Sequence, residues 1–170
     1  MRALLFLNTA LVVGAFLIGA PSAAHATLGE PATSVATDAA QMNATAGATT
    51  AHPVPGVPTQ NTPASANFTI EQITTADGTV VSEYVGPDAA VFAVTWRGAM
   101  PPDVQTLLGA YFKQYRDAAD NGAPSPLGLH ASSVQAPDVK VETAGHMGFM
   151  WGRAYLPARL PAGVTISEIK

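Results

Sequence analysis

The sequence predicts an α+β fold: an antiparallel β-meander plus a later hairpin, packed against one amphipathic helix. Three patterns carry that expectation. Apolar residues alternate with a period of two in short runs over 68–96, the period changes to that of a helix over 104–115, and alternation returns after residue 137. Strands, then a helix, then strands is the order of an α+β domain, not of a doubly wound βα sheet. Every aromatic residue outside the first 26 lies at Phe68 or beyond, so the packed core belongs to the 67–170 region.

The chain opens with Met1-Arg2 and a long apolar run to Ala20, which Pro21 breaks; Ala24-His25-Ala26 then fits the small-residue pattern of a signal peptidase site. The reading is a signal peptide over 1–26, cleaved between Ala26 and Thr27. The competing reading is a retained anchor, since about 18 apolar residues approach the roughly 20 that cross a bilayer. Residues 27–67 contain no aromatic side chain and only Glu30 and Asp38 as charges, with prolines at 31, 53, 55, 58 and 63. Within 27–50, Val35, Ala39, Met42 and Ala46 recur at helical spacing and predict a short helix over about 34–46; its stripe is mostly alanine and needs a partner surface. Residues 51–66 read as a Pro-rich linker of polyproline type.

Phe68 to Thr75 and Thr79 to Val85 are rich in β-branched and aromatic residues, and Asp77-Gly78 between them marks a tight hairpin. After Gly86-Pro87-Asp88, the run Val91-Phe92-Ala93-Val94-Thr95-Trp96 alternates so that Phe92, Val94 and Trp96 share one face. Val104, Leu107, Leu108, Tyr111, Phe112 and Tyr115 form one helical stripe, so a single helix is expected over about 102–119, started by Pro101-Pro102-Asp103 and stopped by Asn121-Gly122. Burying each large side chain contributes about 1.5–3 kcal/mol before entropy is subtracted. Residues 122–137 read as loop, with Ser132-Ser133-Val134-Gln135 as a short strand candidate. Residues 138–143 form a strand, Ala144-Gly145 a turn, and 146–156 a returning strand with Met147, Phe149, Trp151, Arg153 and Tyr155 on one face. Glycines 148 and 152 inside that strand mark a bulge or close backbone approach.

The charge pattern narrows the function. Eight Lys+Arg against twelve Asp+Glu gives a net charge of −4, which offers no attraction to a phosphate backbone and argues against a nucleic-acid partner. With no cysteine there is no disulfide framework, thiolate metal site or cysteine nucleophile. No hydrolase elbow, zinc-protease, phosphate-loop or calcium-loop motif occurs, and His52, His130 and His146 stand at no metal-ligand spacing, so neither a metal nor another cofactor is expected. Glu71, Glu83 and Asp88 could supply a carboxylate pair, but Glu71 and Glu83, in alternating strands beside polar Thr and Ser, read as solvated outer-face residues. The basic and aromatic run 111–116 resolves at helical spacing into an apolar inner side and a polar outer side. One strip remains as a binding candidate: His146, Phe149, Trp151, Arg153 and Tyr155 combine aromatic surface with a forked cation suited to a carboxylate. Its structural alternative is a central strand whose large face packs on the helix while Arg153 pairs with an acid.

Four stretches carry a resemblance: Leu28-Gly29-Glu30-Pro31 with Ser34-Val35, Gly78 to Val85, Val91 to Trp96, and Gly152-Arg153-Ala154-Tyr155-Leu156-Pro157 with Leu160-Pro161-Ala162-Gly163-Val164. In this order they resemble an uncharacterised family of exported proteobacterial proteins, a domain of unknown function of the DUF2844 kind. The resemblance implies a periplasmic or secreted location and supplies no catalytic residue. The expected function is therefore an exported, noncatalytic binding or accessory module for an unidentified protein or small molecule, touching a membrane only through an uncleaved leader. Its rivals are a membrane-tethered periplasmic domain and a small periplasmic hydrolase or lyase. The enzyme would require His146, Arg153 and a carboxylate to meet in one pocket.

Overall fold

The computed structural model describes residues 28–52, 68–122 and 130–170. The expected leader with its Ala26/Thr27 cut, all but the first two residues of the 51–66 linker, and loop residues 123–129 lie outside the described residues. Seven strands form one antiparallel sheet: β1 (Thr45–His52), β2 (Phe68–Thr74), β3 (Val80–Val85), β4 (Val91–Gly98), β5 (Ala131–Gln135), β6 (Lys140–His146) and β7 (Phe149–Tyr155). Their spatial order is β1-β2-β3-β4-β7-β6-β5, so the meander β2-β3-β4 and the later hairpin β6-β7 join through β4 and β7 into one surface. The fold is α+β.

Helices α1 (Val35–Gln41), α2 (Val104–Leu108) and α3 (Phe112–Asn121) cover one face, called inner below. Val35 and Ala39 of α1 and Leu107 and Leu108 of α2 pack with Ile73, Val81, Val94, Trp96, Val141 and Ala154 in a single core. The opposite, outer face is partly covered by the C-terminal tail: Val164 and Ile169 pack with Phe68, Tyr84, Phe92 and Tyr155. The tail ends in a 3-10 turn (Ile166–Glu168), which a reciprocal Thr165–Glu168 capping box holds. Tyr84 Oη then donates to the main-chain oxygen of Lys170 at 2.8 Å and accepts from its N–H at 3.0 Å.

Local chemistry moves several elements from their expected places. The N-terminal helix stops at Gln41, not 46, because Asn43 turns the backbone to φ 49 and the chain leaves as β1. The expected single helix is two: Asp103 caps α2 through Gln105 N–H and Thr106 N–H, and Gly109 at φ 47 then breaks the helix before a 3-10 turn leads into α3. The turn of the later hairpin is Met147-Gly148, not Ala144-Gly145; His146 and Phe149 close it, and Gly148 takes the left-handed conformation at φ 84. Between β3 and β4 the register shifts, Tyr84 opposing Ala93 and Val85 opposing Val91, which leaves Phe92 as a bulge residue. Phe92 therefore joins the outer aromatic cluster while Val94 and Trp96 stay inside, in contrast to the shared face that alternation predicts.

Candidate binding site

β7 decides the site because its two faces differ so much. Met150, Gly152, Ala154 and Leu156 alternate inward, and Gly152 lies directly across from Trp96. A Cβ on Gly152 would sit 2.2 Å from Trp96 Cζ2, so the missing side chain is what lets the indole lie against β7. The bulky residues Phe149, Trp151, Arg153 and Tyr155 consequently face outward, away from the helices. This corrects the expectation that the large face of this strand packs on the helix.

On that outer face a groove of about 390 Å³ opens between β4, β7 and the tail, lined by Thr95, Trp96, Arg97, Phe149, Trp151, Gly152, Arg153, Ile169 and Lys170. Arg97 stands directly across from Trp151, and Thr95 across from Arg153. Arg153 is a structural clamp. Its Nε donates to Glu142 Oε2 at 2.6 Å, its Nη2 lies 2.6 Å from the same oxygen, and its Nη1 donates to the carbonyls of Ile166 at 2.9 Å and Ile169 at 3.1 Å. Lys140 Nζ adds an ion pair to Glu142 at 2.8 Å. Burial acts to raise the pKa of Glu142, but the hydrogen bonds from Lys140 and Arg153 outweigh it and hold the carboxyl below its usual range.

Of the five candidate residues, Phe149, Trp151 and Arg153 meet in the groove, Tyr155 is buried beneath the tail, and His146 stands at the hairpin tip with its ring 6.0 Å from that of Phe149. The shifted turn puts His146 on the face of its partner Phe149, the opposite of the placement that a strand through residue 146 predicts. His146 instead borders a second hollow with His130, Met100, Met147 and Met150. Neither hollow brings His146, Arg153 and a carboxylate together. Among the described residues no group of three or more His, Cys, Asp or Glu is placed to hold a metal ion.

A second cluster lies on the inner face, where Asp38 of α1 meets Glu83 of β3. Both are fully enclosed, and no hydrogen-bond donor other than the opposing carboxyl serves either of them. Removal from water is the main cause that pushes Glu83 up to about 9, with the charges of Asp38 and of cross-strand Glu71 adding to it; burial likewise raises Asp38 to about 7. Both acids are thus held toward the protonated form. Glu83 corrects the expectation of a solvated outer-face residue: alternation with Val81 and Val85 puts it inside, and Glu71 beside it is half-buried. Asp38 escaped the sequence reading, although its position three residues after Val35 and four before Met42 lies within the stripe of α1. Ser34 Oγ, one turn earlier, is also buried without a partner. Enclosed on all sides, the pair can hold a proton but offers no substrate a way in.

The sequence profile of a family described as "protein of unknown function (DUF2844)" matches residues 24–169. The chain belongs to the DUF2844 family. No curated protein and no solved structure matches it significantly. The stretches that carry the DUF2844 resemblance fall at positions with strict physical demands. Leu28 is in the inner core, Gly29 takes φ 91 where a Cβ would meet the Tyr111 ring at 2.9 Å, the Glu30 carbonyl accepts from Val91 N–H at 2.9 Å, and Pro31 bridges to Ala90. Gly152 and Arg153 supply the indole seat and the tail clamp of this DUF2844 protein.

Proposed function

We propose that the protein is an exported, noncatalytic binding module whose working surface is the groove on the outer face of β4 and β7. One observation carries the reading. Of the five large apolar side chains exposed among the described residues, Met100, Met147, Phe149 and Trp151 line the two hollows around the β6-β7 hairpin end. Exposed apolar surface gathered at one place marks a binding site more often than apolar residues scattered singly. The groove carries aromatic rings and cations, while the acids Asp38 and Glu83 are sealed on the other face and Arg153 is engaged by Glu142. That division favours binding over acid–base chemistry.

A double substitution, Phe149→Ala with Trp151→Ala, tests the surface. Binding of the neutral apolar dye Nile red should weaken about tenfold while unfolding free energy stays within about 1 kcal/mol, because both side chains are substantially exposed. Undiminished dye binding would remove the groove from consideration. Export rests on the Ala24-His25-Ala26 pattern. Mass spectrometry of the exported product should find Thr27 as the first residue, and a product that retains Met1 would contradict cleavage.

A further inference from the structure

The chain is acidic overall, yet three of its eight basic residues, Arg97, Arg153 and Lys170, line the outer groove and no Asp or Glu does. Those three cations differ in what they have left to give. Arg153 is engaged by Glu142 and two carbonyls. Lys170 shares its field with Glu168, whose carboxyl it helps to hold low. Elsewhere Lys113, Arg116, Lys140 and Arg159 all stand within ion-pair distance of an acid. Of the described basic side chains, Arg97 and Lys170 stand within ion-pair distance of no acid, and Arg97 lacks even the longer-range acidic neighbour that Lys170 has in Glu168. Arg97 is exposed, and it stands on the same face as Trp151, its direct cross-strand neighbour.

A guanidinium presents several N–H donors in a planar fork and no acceptor, so an unpartnered one at the mouth of an apolar groove selects an oxyanion. One uncompensated positive charge calls for one negative charge, which a carboxylate carries and a phosphate monoester exceeds at neutral pH. The groove's volume of about 390 Å³ sits at the small end of ligand pockets, so the occupant is a small molecule. We infer that the groove binds a small carboxylate with an apolar body, its head on Arg97 and its body against the exposed rings of Phe149 and Trp151. This rests on the binding-module reading and adds the chemical class of the ligand.

Calorimetric titration of the purified chain with decanoate and with 1-decanol, near neutral pH, tests it. Decanoate should bind at least about tenfold more tightly than decanol. Arg97→Gln should weaken decanoate by about ten- to a hundredfold, the range of a charged hydrogen-bonded pair, and leave decanol unchanged. Arg97→Lys should recover part of the loss, because it restores charge without the fork. If decanoate and decanol bind equally and Arg97→Gln is silent, the carboxylate inference fails while an apolar-binding groove stands. Tighter binding of decyl phosphate than of decanoate would also overturn it. If none of the three binds to a chain whose circular dichroism shows it folded, this inference and the groove itself both fall.

Discussion

Each face of the sheet withdraws a glutamate from water, Glu83 fully and Glu142 in part, and the two faces treat it in opposite ways. On the inner face Glu83 meets only Asp38, Glu71 and apolar walls, so water is lost, no cation replaces it, and the carboxyl keeps its proton. On the outer face Glu142 is also largely covered, but Lys140 and Arg153 reach it and it stays ionised as the anchor of the tail clamp. The contrast teaches that burial alone does not set the state of an acid; the groups that replace its hydration do. It also assigns labour. The inner face is a sealed core that fixes α1, and the outer face is a charged frame that holds a tail beside an open groove.

The largest effect should come from removing the outer cation. Arg153→Met leaves Glu142 with Lys140 alone and strips donors from the carbonyls of Ile166 and Ile169, so urea unfolding should show a loss of about 2–3 kcal/mol; a loss below about 0.5 kcal/mol would mean that the tail holds without its clamp. Gly152→Ala comes next. Its new Cβ collides with the Trp96 indole, so a cost of about 1–3 kcal/mol with a shift in tryptophan emission should follow; unchanged stability and emission would show that the indole does not lie against β7. The most specific effect is in pH.

Glu83 and Asp38 titrate higher in the folded chain than in the unfolded one, so the folded chain holds protons that the unfolded chain has released. Stability therefore falls as pH rises from about 5 to about 9. Glu142 has the opposite sign, its folded pKa being depressed: its contribution is present above the ordinary carboxylate range and is lost as pH falls through it. Chemical denaturation across this range should show maximum stability on the mildly acidic side. Glu83→Gln, which keeps the shape and a donor without the titration, should flatten the alkaline limb and leave the acid limb intact. An unchanged alkaline limb would show that the pair does not titrate there.

Much of this was legible in residues. Asp77-Gly78 marked the β2-β3 hairpin, Asp103 marked the start of α2, and the bulky alternation from Phe149 to Tyr155 marked the groove strand. Other features carried no local signal. Thr45–His52 has no large apolar side chain, so its place as β1 comes from backbone pairing with β2 and not from burial. The hydrophobic stripe runs without interruption through Gly109, and only the backbone conformation reveals the break. The bulge at Phe92 inverts one residue relative to its neighbours, which simple alternation cannot register. Arg153 was visible as a cation suited to a carboxylate, but its partner Glu142 and the tail carbonyls come together only through β6-β7 pairing and the fold of the C terminus. The Asp38–Glu83 contact joins two elements far apart in sequence; each residue sat in a readable apolar pattern, yet only their meeting explains why both lack a cation.

The division between a working outer face and a sealed inner face is tested most directly by amide chemical-shift mapping during a decanoate titration. Saturable shifts should appear at Arg97, Phe149, Trp151, Ile169 and Lys170, with Ala39, Val81 and Leu107 unmoved. Shifts centred on Asp38 and Glu83, or none at the groove, would contradict it.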